Sequence, residues 1–423
     1  MSRRQLLVGA ASVTTQLGCA SRRPPTPARA APTPRPEANA PVAAEPAPPR
    51  GRVLGFGIAS REIQERYELE PSGRWSILID IDLASGDARH TPIAAVEAHE
   101  PVLLPADRLA CVSDGGETIS IIDALSHAVI QVIRCQPGFE YSGHARRIDG
   151  RMIVTARARG EGNMRGQLEI FDESSLALRG TVDTGGHVPH EIVLMEDRDE
   201  LAISHYGHYG GGHFTREPFY WDIREPAVTI LDRRTLSPKR RFVYDRPLAL
   251  THMRRAGDGL LYVVAAQYVR NNPEGLAALP ASQRDGLQLS PLEERSQRIG
   301  VPGPVVVIDP DRGVVRELMP EPQHHRKQQS LAVHEQSGHV FVTFTYSDQL
   351  MRITPGSSKV DYFSATHLGL VAPCGVVDLA GTPYVAVSGR DAGLSIVHAA
   401  SGEVLRTDPT AMFSNVHLGY APA

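Results

Sequence analysis

The stretch "AHEPVLLPADRLACVSDGGETISIIDALSHAVIQVI", residues 98–133, decides the fold. Four runs rich in Val, Ile and Leu alternate with short polar turns. Each run has the length and composition of a strand and lacks the 3.6-residue period of a helix. His99 leads the first run and Asp123 ends the third.

The unit recurs. His99 to Asp123, Ser330 to Thr354 and Cys374 to His398 each span 24 residues. Segments led by His144, His190 and His252 follow the same plan with insertions. Four strands per unit, at roughly 40 residues, is the signature of a β-propeller blade. Residues 53–94 hold three strands without a first, and the C-terminal "MFSNVHLGY" holds a first strand without the other three. Joined, they make one more blade. The sequence therefore predicts an all-β, seven-bladed β-propeller over residues 51–423. Its ring is closed by the C-terminal strand completing the first blade, which leaves no open edge.

The remaining chain is of another kind. Residues 1–19, "MSRRQLLVGAASVTTQLGC", place Arg3-Arg4 before an apolar run, which resembles a twin-arginine export signal. Leu17-Gly18-Cys19 resembles a bacterial lipobox, with Cys19 as the lipidated residue, although Gln16 stands where a Leu is usual. In residues 20–50, ten of 31 positions are proline and Val42 is the one large apolar side chain, so this segment cannot build a core. It reads as a semi-rigid linker, at ~3.1 Å per residue where it is polyproline II. The expected location is periplasmic or cell-envelope. Contact with the membrane would come only through a lipid at Cys19, and plain cleavage of the signal is the alternative. No other stretch approaches the ~18–20 apolar residues of a membrane span.

The formal net charge is −4 and 41% of residues are hydrophobic, a globular composition without the basic excess of a nucleic-acid binder. Cys111 and Cys135 fall in one unit, on strands that should not be adjacent, so no disulfide is expected between them.

In a propeller the innermost strands line a central channel, and their leading positions form a ring at one mouth. Here that ring reads His99, His144, His190, His252, Ser330, Cys374 and His417. With 17 His and 4 Cys in 423 residues, chance would place fewer than one there. Imidazoles and a thiolate converging from rigid strands bind copper, zinc or iron. His99, His144, His190, His252, Cys374 and His417 are the predicted ligands of a transition metal ion, copper or iron, of which four to six would suffice. Histidines that only hydrogen-bond turn backbone, a water-filled channel edged with histidine, and a metal-free ligand site explain the same ring.

The loops between second and third strands should flank this mouth. Those after Thr155, from His205, and from Tyr268 to Gly303 are long enough to form a lid. His187, His205, His208, His213 and Ser330 are the candidates for lid or supporting positions. Glu100 and Glu191 each follow a mouth histidine, and strand alternation would turn them away from the channel.

"YSGHARRIDGRMIVTARARGEGNMRGQLEIFD", "GGHVPHEIVLMEDRDELAISH", "LALTHMRRAGDGLLYVVAAQY", "VAPCGVV" and "FSNVHL" resemble the bacterial exported propellers of domain of unknown function 1513, over most of residues 95–420. The family's terminal Asn-His reads Asn415-Val416-His417 here. The family is also similar to periplasmic propellers of the YVTN type. The resemblance implies twin-arginine export and partners among periplasmic iron-uptake proteins of the imelysin-like kind. It assigns no activity. Three functions stay open: a metal-binding propeller in iron or copper handling, an oxidoreductase using an axial metal, and a metal-independent protein-binding scaffold. A monomer is expected.

Overall fold

A computed structural model describes residues 48–58, 75–159, 164–207, 225–246, 248–270, 298–357, 359–411, 413 and 417–423. The propeller lies in the unit Ala47–Ala423. The described strands form seven antiparallel sheets, six of four strands and one of five. The first strands of blades II to VII are Ala98–Leu104, Phe139–Ile148, Pro189–Met195, Ala249–Arg255, Gln328–Val333 and Val371–Asp378. Each touches the first strand of the next blade, and Gly419–Ala421 of blade I closes the circle against Ala98–Leu104. The fifth strand of blade V, Arg298–Val301, pairs with Gln267–Arg270 and extends that blade beyond the others.

Blade I is composite, as the sequence predicts. Arg52 pairs with Ala421, Val53 with Tyr420 and Leu54 with Gly419. The Tyr420 hydroxyl donates to the Arg50 carbonyl at 2.6 Å. Gly51 has φ +103°, and a Cβ there would lie 2.5 Å from the Ala421 oxygen, so the seam needs glycine. The closing strand is shorter than the stretch it was read from: pairing starts at Gly419, and His417 stands just ahead of it.

The turn from third to fourth strand shows why the repeat carries its Asp. Asp82, Asp123, Asp172 and Asp232 each accept hydrogen bonds from the backbone N–H two and three residues on. The fourth residue on is then left-handed: Gly86, His127, Leu176 and Leu236, with φ between 58° and 81°. The side chain replaces a backbone turn, which offsets the cost of placing a non-glycine residue there. In blade VII, His398 Nδ1 accepts from the Ser401 N–H three residues on, and Gly402 is the left-handed residue.

The apolar core lies between blades. Val112, Ile119 and Ile121 of blade II pack on Tyr141, Met152 and Val154 of blade III, all buried, and each later interface repeats the arrangement. Cys111 and Cys135 are both free thiols.

Candidate metal centre

The mouth residues are placed by a local irregularity that repeats. In blades II to VII the pairing of first and second strands slips at the mouth, between Ala98 and Pro101, Tyr141 and Ala145, Pro189 and Ile192, Leu250 and Met253, Gln328 and Leu331, and Pro373 and Val376, with a further slip between Val371 and Pro373 in blade VII. Each slip at the mouth contains the mouth residue. A bulge kinks the strand and re-aims its side chains, here toward the axis.

Hydroxyl groups on the second strands hold these bulges. Thr155 Oγ1 donates to the His144 carbonyl at 3.2 Å or to that of His190 at 3.1 Å. Thr343 Oγ1 lies 2.6 Å from the Cys374 carbonyl and receives the Ser330 N–H at 3.0 Å. Ser204 Oγ receives the Glu191 N–H at 3.1 Å. Gly143, with φ +89°, lets the His99 ring lie against the backbone, since a Cβ would stand 2.8 Å from His99 Cβ.

The result is a cluster of five imidazoles from five blades. One ring nitrogen from each of His99, His144, His252 and His417 lies within 4.8 Å of the others. His190 joins them: its Nε2 is 2.8 Å from His252 Nε2 and 3.2 Å from His144 Nε2. His99 Nε2 is 3.4 Å from His252 Nε2. Nitrogens bound at ~2.0–2.1 Å to one tetrahedral ion would stand roughly 3.3–3.4 Å apart. All five rings are buried, His99 the most exposed at 8%. His417 Nε2 and His190 Nδ1 have no hydrogen-bond partner among the described residues. Burial, followed by neighbouring imidazoles, pushes His99, His190, His252 and His417 well below the ordinary histidine pKa. They are neutral at neutral pH, the form that binds metal.

Beneath the imidazoles runs a chain of carboxylates and guanidinia. Glu100 Oε2 accepts from His144 Nδ1 at 2.8 Å. Arg146 bonds Glu100 on one side and Glu191 Oε1, at 2.7 Å, on the other. Arg254 Nη1 reaches Glu191 Oε2 at 2.7 Å. Burial raises the pKa of Glu100, but Arg146 and the bond from His144 outweigh it and hold Glu100 ionised. This corrects the expectation that Glu100 and Glu191 point away. Alternation holds for a regular strand, and the bulge adds a residue that breaks it. Glu100, His144 and Glu191 also form a three-residue group with ligand spacing, but Arg146 and Arg254 occupy the carboxylates.

Other candidates lie elsewhere. Cys374 is buried on its first strand, but its Sγ does not join the atoms that lie within 4.8 Å of one another. Ser330 is fully buried and its Oγ receives the Val376 N–H at 3.4 Å, tying blade VI to blade VII. His187 lines a surface pocket with Arg165, Asp183, Glu225 and Arg241, off the ring. His205 is buried beside it against Gly186, and burial lowers its pKa to about 3. His208 and His213 lie outside the described residues. Tyr206, next to His205, does reach the cluster, its hydroxyl 3.2 Å from His190 Nε2.

The sequence carried a signal for the ionic chain that the reading of single mouth residues missed. Blades II and IV have His-Glu, at His99-Glu100 and His190-Glu191. Blades III and V have His-x-Arg, at His144–Arg146 and His252–Arg254. The alternation around the ring is the pairing pattern itself.

Residues 97–301 match the family model described as "Protein of unknown function (DUF1513)". No curated protein matches the chain. Among solved structures, "Kuenenia stuttgartiensis Hydrazine Synthase" is similar at 11% identity and a TM-score of 0.52, over 81% of this chain and 94% of that one. "Crystal Structure of Mitotic Checkpoint Complex" is similar at 12% identity and a TM-score of 0.52, over 94% and 96%. At such identities the likeness carries the fold alone.

Proposed function

We propose that this seven-bladed propeller, whose residues 97–301 match the DUF1513 family model, binds a metal ion on the channel axis, in the service of iron or copper handling. One observation carries the reading: five buried imidazoles from five blades meet, His99, His144, His190 and His252 through Nε2 contacts of 2.8–3.4 Å and His417 within 4.8 Å of His99, His144 and His252. His190 Nε2 alone faces two other Nε2 atoms and a tyrosine hydroxyl, and one nitrogen has a single lone pair or a single proton to offer. A cation accepts several lone pairs at once. An all-imidazole set suits copper, iron, zinc or nickel. Glu100 fixes the His144 tautomer so that Nε2 presents its lone pair to the cluster. When bound, the metal would supply a Lewis-acid or redox centre.

Export by Arg3-Arg4, anchoring through Cys19, a periplasmic or cell-envelope location and service to periplasmic iron-uptake proteins complete the proposal, supported by the sequence motifs. The test is elemental analysis of protein purified from its own compartment. About one bound transition metal per chain, lost in His144→Ala and His190→Ala, is expected. No stoichiometric metal in the unaltered protein would end the reading.

An oxidoreductase is the second reading. Tyr206, with its hydroxyl 3.2 Å from His190 Nε2, places a protic group beside the cluster. A reversible redox change in the optical spectrum of the loaded protein would favour it over storage or transfer.

A further inference from the structure

A guanidinium with donors left to give lies on the strand beside this cluster. Arg157 lies on the second strand of blade III, two residues beyond Thr155 and on the same face. Thr155 touches the carbonyls of His144 and His190, so Arg157 is one step nearer the mouth above those two ligands. Its side chain is fully buried. Nε donates to Glu140 Oε1 at 2.7 Å, and Nη1 is 3.5 Å from Asp114 Oδ1 without hydrogen-bond geometry. Neither Nη1 nor Nη2 has a hydrogen-bond partner among the described residues. An arginine brings five N–H donors in a planar fork, and leaving them unused when buried is costly.

The surroundings point to what the fork takes. The positive charge of Arg157 adds to the burial that lowers the pKa of His99 and His190, in keeping with its place on the strand beside them. Buried Lys327 acts on His99 as well. The imidazoles themselves carry no negative charge. A cation bound there would sit among neutral imidazoles with Arg157 and Lys327 acting on the same histidines, Arg157 being balanced on one side by Glu140 and Asp114 while its two Nη groups stay without hydrogen-bond partners among the described residues.

We propose that Arg157, with the Tyr206 hydroxyl, forms a binding site for a small planar anion, a carboxylate or oxyanion such as formate or nitrate, that bridges from the guanidinium to the metal. Arg157 would hold two oxygens by parallel N–H bonds. Tyr206 would donate its hydroxyl proton to the same anion, giving up its contact with His190 Nε2 once that lone pair goes to the metal. The metal end of the anion rests on the metal reading given above, whereas the guanidinium end does not.

The test uses the propeller loaded with Co(II), whose visible absorption reports added ligands, titrated with formate and with nitrate. Saturable spectral change is expected. Arg157→Gln should weaken anion binding at least tenfold while changing Co(II) affinity less than threefold, with partial recovery in Arg157→Lys. Tyr206→Phe, which removes one oxygen, should weaken it severalfold and covers the case in which Arg157 variants fail to fold. Co(II) loading with no anion response, or a response equal in wild type, Arg157→Gln and Tyr206→Phe, overturns the site. Failure to load Co(II) would instead count against the metal reading. Thermal stabilisation of the metal-free protein by formate would then decide: dependence on Arg157 upholds the anion site, and its absence ends it.

Discussion

Glu100 of blade II accepts the Nδ1 proton of His144 of blade III at 2.8 Å. One bond thus crosses a blade interface, selects a tautomer and orients a ring toward the axis. Replacement by Gln keeps the shape and removes the charge. Glu100→Gln should keep metal stoichiometry but lower affinity ~10–100-fold, measured by competition with a chelator of known strength.

Arg146 joins Glu100 to Glu191, the latter fully buried. Arg146→Met leaves both carboxylates short of a partner. Breaking a buried ionic network by removing one member costs roughly 3–5 kcal/mol. The loss should appear as a lower denaturant midpoint at neutral pH and should shrink in acid, where the abandoned carboxylates take up protons.

Acid should act on the metal-free protein through the imidazoles. His99, His190, His252 and His417 have folded pKa values well below 6.5, so the unfolded chain binds more protons as pH falls. Their contribution is complete above about pH 6.5. It is lost as pH drops from there toward the depressed folded values, by up to ~1.4 kcal/mol per pH unit for each histidine protonated only when unfolded. Denaturant titrations between pH 7.5 and 5 should show this slope, and His190→Gln should flatten it.

Ring closure should be separable from the ligands. Truncation after Val416 removes His417 and the strand Gly419–Ala421 together, whereas His417→Ala removes the ring alone. The truncation should broaden thermal unfolding and lower its midpoint by many degrees. The point substitution should leave the midpoint of the metal-free protein within a few degrees while weakening metal binding.

The fold was legible because a blade must repeat its own chemistry: Asp at the end of the third strand, strand-length apolar runs, and a fixed interval. The ring of histidines was legible for the same reason. What lay beyond reach were features made by bulges. Alternation sent Glu100 and Glu191 outward, and one extra residue in the strand brings them back. Cys374 shares the mouth position, but sharing a position in a blade does not ensure that side chains of different length meet at one point. Thr155 and Arg157 were hidden because their role is visible only against neighbouring blades.

The seam of blade I has a consequence for the order of events in the cell. The segment carrying His417 follows every other described strand-bearing segment. A ribosome releases it after those strands, so the nascent propeller holds four of the five clustered imidazoles before the fifth emerges. The cluster is therefore complete only once the circle has shut, and any ion that needs all five blades would report a closed ring.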